Sequence, residues 1–215
     1  MRIGIVGAGN VGRLYGALWV KKGHEVAFSY VRDHRRLRAF VNELGSMASI
    51  VDTEDVAACS DVIVFAPPFE QVEHAAALVG SAAGKVVIDT TNPFNPERTG
   101  LVDLGSSTSA EKVAGLFPEA HVIKALHNLS VGQATSATSQ SPAVLFLAGD
   151  SNEAKEAVAR MVIDAGFSPF DTGGFSTAGL SEAPGPLFMN VYGVTDVAEN
   201  VASASQPNRP QSLRP

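Results

Sequence analysis

Residues 2–12 read Arg2-Ile-Gly-Ile-Val6 followed by Gly7-Ala8-Gly9-Asn10-Val11-Gly12. The first five residues are a short, nearly continuous apolar run, the pattern of a strand buried on both faces. After the glycines, Val11, Leu14, Tyr15, Leu18 and Trp19 recur on one helical face. A Gly-x-Gly-x-x-Gly set between a strand and a helix has a mechanical reading. Gly7 permits the tight turn, Gly9 lets the backbone approach a pyrophosphate, and Gly12 lets helix and strand pack closely. Gly16, one turn on, extends that close packing. The free N–H groups around Asn10 and Val11, with the helix dipole, favour an anion at this helix start.

At 215 residues the chain has room for one substantial domain, or for one domain and a small annex. Its apolar share, 45%, is ordinary for a globular protein. A formal net charge of −6 argues against a nucleic-acid partner, which leans on a basic surface. The single cysteine, Cys59, excludes an intrachain disulfide framework and suits a reducing, cytoplasmic setting. No run approaches the roughly 18 apolar residues of a membrane span, and no leader-like segment precedes the first strand, so no membrane partner is expected. The five histidines lack ligand spacing, so no metal site is expected.

Further along, apolar runs alternate with helical patterns, which predicts a Rossmann-type, doubly wound parallel sheet in the α/β class. Strands are expected at 25–29, 49–51, 61–66, 85–89 and 121–125, with helices at 35–44, 54–58, 71–79 and 110–117. Beyond Leu129 the composition shifts. Residues 131–141 are rich in Ser, Thr, Gly and Gln and read as a loop. A strand at 143–147, a helix at 153–165 opened by an Asp150/Glu153 capping pair, an edge strand at 168–171 and a helix at 187–201 follow. This gives a dinucleotide-binding domain at 1–130, a small C-terminal α/β domain at 131–204, and an extended or disordered tail at 205–215 with three prolines.

The end of the second strand separates the two common dinucleotides. An NAD site usually places Asp or Glu there, about 20 residues past the glycines. Here the chain reads Phe28-Ser29-Tyr30-Val31-Arg32, with Asp33 after the arginine and Arg35, Arg36 and Arg38 beyond. Ser29, Tyr30, Arg32 and Arg35 suit a ribose 2′-phosphate, whereas Arg36 and Arg38 read as a solvated helix face. A charge-assisted contact of roughly 1.5–3 kcal/mol favours NADP over NAD by about tenfold to a hundredfold.

Ligands of open α/β sheets bind outside the carboxyl ends of the strands. Three such ends matter: Ala66-Pro67-Pro68, Thr91-Asn92-Pro93 and Ala125-Leu126-His127-Asn128. Pro67 and Pro68 suit a rigid wall for a nicotinamide and Asn92 a bond to its carboxamide, with ordinary strand-exit turns as the alternative, Asn-Pro being a common turn opener. Pro93, beside Asn92, completes that strand exit. His127 is the titratable candidate for a general acid, with a structural bond to a backbone carbonyl as the alternative. Ser130, Gly132, Thr135 and residues 185–189 are candidate walls for a second ligand.

Taken together, GAGNVG, the Ser/Tyr/Arg tip, Ala-Pro-Pro, Asp89-Thr-Thr-Asn-Pro93, Val122-Ile-Lys-Ala125 and Gly185-Pro186-Leu187 resemble the coenzyme F-420 (deazaflavin)-dependent NADP oxidoreductases. The resemblance implies NADP(H) with its 2′-phosphate near Ser29, Tyr30 and Arg32. It also implies a deazaflavin or flavin as co-substrate in the cleft between the two domains, and direct hydride transfer. It places Leu126, Asn128, Ser130, Pro186 and Leu187 at the substrate. Two departures stand out. Leu126-His127-Asn128 replaces the family's usual Phe-Asn-Thr after Lys-Ala, and Phe28-Ser29-Tyr30 replaces a Gly-Ser pair. Two other readings compete: an NADPH-dependent reductase of a small carbonyl, imine or enone with His127 as proton donor, and a non-enzymatic NADPH sensor. Only about 85 residues follow Leu129, little room for the long helical domain that many such reductases use to build a substrate site. The last helix and the tail offer apolar surface that would suit a homodimer.

Overall fold

The computed structural model describes residues 1–136 and 142–205. β1 (Arg2–Val6) lies between β2 (Glu25–Ser29) and β4 (Val62–Phe65) in one eight-stranded sheet, which also holds β3 (Ala48–Ile50), β5 (Val86–Asp89), β6 (His121–Lys124), β7 (Val144–Ala148) and β8 (Ser168–Gly173). The order is β3-β2-β1-β4-β5-β6-β7-β8. The first six strands are parallel. β7 runs antiparallel to β6 through the single pairing Lys124–Ala148, and β8 is parallel to β7. The crossover direction reverses between β1 and β4, which opens the crevice where ligands of such sheets bind.

Helices cover both faces. α1 (Asn10–Lys21), α2 (His34–Leu44) and α7 (Asn152–Asp164) set Tyr15, Trp19, Leu37, Val158 and Met161 against Ile3, Ile5, Phe28, Val64 and Ile123. On the other face α3 (Val56–Cys59), α4 (Val72–Val79) and α5 (Ser109–Leu116) set Val56, Val72, Ala75 and Val113 against Ile63, Phe65, Val87 and Val122. Alternate residues of one strand feed opposite layers, as the two-residue period of a strand requires. Gly12 and Gly16 let α1 lie directly on this sheet: a Cβ at Gly12 would strike the Gly7 carbonyl and Ile5, and one at Gly16 would strike Phe28 and Ile5.

The residues expected as a separate small domain lengthen this sheet at its β6 edge. α7 docks on α1, where the Trp19 indole N–H donates to the Met161 carbonyl at 2.9 Å and His24 Nε2 lies 3.1 Å from the Asp164 carboxylate. Three local expectations are corrected. Residues 131–136 form a short helix, α6 (Val131–Ser136), not a loop. Ser130 and Gln133 bond each other's backbone N–H groups at its start, and that reciprocal pair offsets the weak helix propensity of the segment. Ser151, not Asp150, caps α7 by accepting from the Ala154 N–H, because the Asp150 carboxylate accepts from the Phe175 N–H. The last helix, α8 (Val197–Ala204), begins ten residues later than expected, since Gly185, Pro186 and Gly193 break the apolar pattern into turns. The loop expectation at 137–141 and the tail expectation at 206–215 lie outside the described residues.

Among the described residues no helix is long and apolar enough to cross a membrane, and no three metal-ligating side chains come together. Because Trp19 is fully buried and joins α1 to α7, Trp19→Phe is expected to lower stability by about 2–3 kcal/mol through the lost indole bond and the cavity. Urea unfolding at an unchanged m-value reads this directly; a loss under about 1 kcal/mol would show that α7 docks without it.

Candidate functional site

The carboxyl ends of five strands stand in a row. The Gly7 N–H donates to the Ser29 carbonyl, Ala66 to Val6, Thr90 to Phe65 and Ala125 to Asp89, at 2.7–3.1 Å. Every strand exit singled out in the sequence therefore opens on the same edge. Gly7 turns there with φ of +103°, and a Cβ on it would strike the Ala66 carbonyl and the Pro67 nitrogen. Around Gly9 the opposite holds: a Cβ there would meet no protein atom within 4 Å, and its φ of −77° suits any residue. Nothing inside the protein requires glycine at position 9. A bare flank beside the exposed start of α1 suits close approach by a ligand's phosphates.

Cations rim this opening. Arg13, which sequence reasoning missed, donates to the Gly9 carbonyl at 3.3 Å and to Asn10 Oδ1 at 3.2 Å, and its guanidinium lies 5.8 Å from the Phe40 ring centre. The three- and four-residue spacing of Arg13 from Asn10 and Gly9 was the available signal. Arg32 is strongly exposed at the β2 tip, 3.8 Å from the Glu70 carboxylate, and Arg35 is exposed in the first turn of α2. Asp33, between them, accepts from the Arg36 N–H as the N-cap of α2. Tyr30 adopts φ of +52° and lies with its ring 6.0 Å from that of His74. Partial burial raises its hydroxyl pKa, Arg32 draws it down and Glu70 raises it, so both charges reach the phenol. Ser29 is turned inward: its buried hydroxyl donates to the Ile5 carbonyl at 3.0 Å, so the side chain holds β1 to β2 and does not face the opening.

At the β5 and β6 exits the polar residues grip one another. Lys124 is fully buried, and its ammonium donates to Asp89 Oδ2 at 2.9 Å, to Ser109 Oγ at 2.8 Å and to the Thr91 carbonyl. Glu182 Oε2 lies 3.4 Å from it. Glu182 also accepts from the Ser109 N–H at 2.8 Å and from the Ser109 hydroxyl. Burial pushes the Asp89 carboxyl up, and the neighbouring Lys124 pulls it part of the way back. Neither Ser109 nor Glu182 was singled out in the sequence; no motif links residues 73 positions apart.

Three consecutive residues key a C-terminal turn into this network. Ser181 Oγ bonds His127 Nε2 at 3.0 Å, Glu182 meets Ser109, and the Ala183 N–H donates to Asn92 Oδ1 at 2.9 Å. Asn92 Nδ2 in turn donates to the His127 carbonyl. The Asn92 amide is thus engaged by protein on both sides. His127 is buried, and burial first, then Lys124, holds its imidazole well below the ordinary histidine range, so it is neutral at physiological pH. Its Nδ1 and the Thr91 hydroxyl are buried side-chain atoms without a hydrogen-bond partner among the described residues.

Asn128 is also structural, donating to the Val144 carbonyl and accepting from the Phe146 N–H. Leu126 is buried at φ of +61°, and Leu187 packs in an apolar cluster with Val144, Phe146 and Val197. Ser130 caps α6. Pro186 remains exposed, Pro93 is buried, and Ala66, Pro67 and Pro68 line the β4 exit as expected.

Lys124 separates two buried carboxylates, so Lys124→Met is expected to cost about 3–5 kcal/mol. Without the ammonium, the Asp89 pKa rises further above its unfolded value. A carboxyl with a raised folded pKa supports the fold while protonated and loses that support as pH climbs above about 4. The deficit against wild type should therefore widen from pH ~4.5 to pH ~8 in urea unfolding. A small, pH-independent deficit would mean the carboxylates do not depend on the lysine.

Residues 2–93 match the sequence profile of the family "NADP oxidoreductase coenzyme F420-dependent". The chain is 29% identical over 182 residues to the rat metalloreductase STEAP3, a match covering 85% of this chain and 36% of that protein, so it spans about a third of that relative's length. A crystal structure of a hypothetical protein from Sinorhizobium meliloti superposes with a TM-score of 0.81 at 25% identity, covering 89% of this chain and 95% of the other. One from Arthrobacter sp. FB24, provisionally named an F420-dependent NADP-reductase, superposes with a TM-score of 0.73 at 25% identity, covering 83% and 87%. The matched residues, 2–93, carry the glycine turn, the Arg32 tip and the first five strands, so the likeness to the coenzyme F420-dependent NADP oxidoreductases rests on the dinucleotide-binding half of the chain.

Proposed function

We propose that this chain is an NADP(H)-dependent oxidoreductase that passes a hydride between NADPH and a deazaflavin or flavin acceptor at the β5 and β6 exits. The observation that carries the reading is the bare flank of Gly9 at the exposed start of α1, rimmed by Arg13, Arg32 and Arg35. A dinucleotide bound there supplies the hydride chemistry. The chain's own residues do the holding. Gly9 admits the pyrophosphate to the N–H groups of the first turn of α1, and Arg32 and Tyr30 face the 2′-phosphate side. Pro67 and Pro68 form a wall that cannot rearrange.

The state of His127 favours a deazaflavin or flavin acceptor over a carbonyl or imine that needs a proton donor. The imidazole is buried, neutral and bonded to Ser181, whereas a general acid must carry a proton within reach of its substrate. Direct hydride transfer instead needs donor and acceptor carbons held roughly 3–3.5 Å apart, a task of positioning. The Ser181–Ala183 turn, locked to both strand exits, provides a rigid support for it.

Two binding variants test the dinucleotide. Gly9→Val is expected to keep the melting temperature, since its side chain enters open space, and to weaken NADPH binding at least about a hundredfold. Unchanged binding by calorimetry would overturn the reading. Arg32→Ala should weaken NADPH about tenfold more than NADH; equal losses would move the phosphate elsewhere.

The acceptor is tested anaerobically with NADPH and oxidised coenzyme F420, with flavin mononucleotide in parallel. The expected result is bleaching of the deazaflavin or flavin band, with His127→Asn keeping kcat within about threefold. Binding of NADPH without reduction of either probe would shift the assignment to a small-molecule reductase or a sensor. A loss of about a hundredfold or more in His127→Asn would make that histidine a proton donor.

A further inference from the structure

The β2 tip carries no acidic residue to read a ribose 2′-hydroxyl, yet a carboxylate stands close to it. Glu70 lies in the short 3-10 turn Phe69–Gln71 that leads from Pro67-Pro68 into α4, and its carboxylate is 3.8 Å from the Arg32 guanidinium. The two partners differ in freedom. The Arg32 side chain is 78% exposed, whereas that of Glu70 is 30% exposed and follows the buried Phe69. The carboxylate is therefore the more enclosed partner and the guanidinium the more exposed one. The neighbouring Glu73 is engaged elsewhere, 3.1 Å from Lys112. Tyr30 and His74 flank the same gap between the β2 tip and α4.

We infer that Glu70 is a specificity-determining residue that lowers the site's preference for NADPH over NADH, an inference that rests on reading Arg32 as the 2′-phosphate ligand. An ion pair this exposed is worth little in water, so Arg32 leaves Glu70 readily. A phosphate draws it away, because guanidinium–phosphate hydrogen bonds are among the stronger ones. Glu70 then stays behind as an unpaired carboxylate beside a second, doubly charged anion, and it opposes the phosphate that Arg32 attracts. With a plain ribose the balance reverses. A carboxylate is the group that accepts from a 2′-hydroxyl in NAD-selective sheets of this kind. Here it reaches the gap from the β4 exit instead of from the β2 tip. The chain thus carries a reader for each dinucleotide on opposite sides of one gap, and the pair sets the ratio between them.

The test measures NADPH and NADH dissociation constants for the full-length wild type, Glu70→Gln and Arg32→Ala, at low and high salt. Glu70→Gln removes the charge and keeps the shape. It is expected to tighten NADPH about threefold to tenfold and to leave NADH unchanged or weaker, with the NADPH gain shrinking at high salt. A preference ratio within about twofold of wild type, while Arg32→Ala still weakens NADPH selectively, would overturn the role of Glu70 and leave the Arg32 assignment standing. If Arg32→Ala weakens both dinucleotides alike, the phosphate lies elsewhere and both assignments fall.

Discussion

One buried ammonium group organises the polar half of the site. Lys124 Nζ is surrounded by Asp89 from β5, the Thr91 carbonyl beyond it, Ser109 at the start of α5, and Glu182 from the C-terminal turn. Burying a charge costs several kcal/mol unless its hydrogen bonds are satisfied, and here every donor of the ammonium has an acceptor. Such a cluster adds little net stability over an apolar replacement. Its effect is geometric, because the only arrangement without a severe penalty is the one that brings all four segments to the same point. The antiparallel pairing of β6 with β7 is made at this residue, Lys124 with Ala148, so the same point also sets how the last two strands join the sheet.

The glycine half of the site is built in the opposite way. Around Gly7, Gly12 and Gly16 the backbone and neighbouring side chains press so closely that no Cβ fits, while beside Gly9 the protein leaves open space. Close packing on one side of a turn and vacancy on the other is the shape expected of a backbone that meets a ligand. The charges follow the same division. Buried ones near β5 and β6 neutralise each other, and Arg32 and Arg35 beyond the β2 tip stay exposed, able to meet an anion at small desolvation cost. The edge of the sheet therefore has a fixed end suited to positioning and an open, cationic end suited to phosphates.

The layered frame was legible along the chain. A parallel strand buried on both faces must be apolar along its whole length, so β1, β2, β4, β5 and β6 stand out as runs, and their helices as apolar stripes between them. The glycine turn could be placed because its spacing has a steric cause that does not depend on distant residues. α6 was also legible in principle, since Ser130 and Gln133 have the spacing of a reciprocal cap; the Ser- and Thr-rich composition around them masked it. The partners of the site's polar side chains were not legible along the chain. Ser29, Asn92, His127 and Asn128 are the same letters whether they meet a ligand or a neighbouring carbonyl, and each here is claimed by protein: Ile5, Ala183, Ser181 and Val144. Ser109, Glu182 and Glu70 gain their roles from approach across 73, 58 and 38 residues of chain, to Glu182, Lys124 and Arg32 respectively. Hydrophobic burial leaves a periodic trace along the chain because it acts on a whole face of an element. A hydrogen bond or ion pair joins two atoms within about 3–4 Å, and only the folded chain says which two.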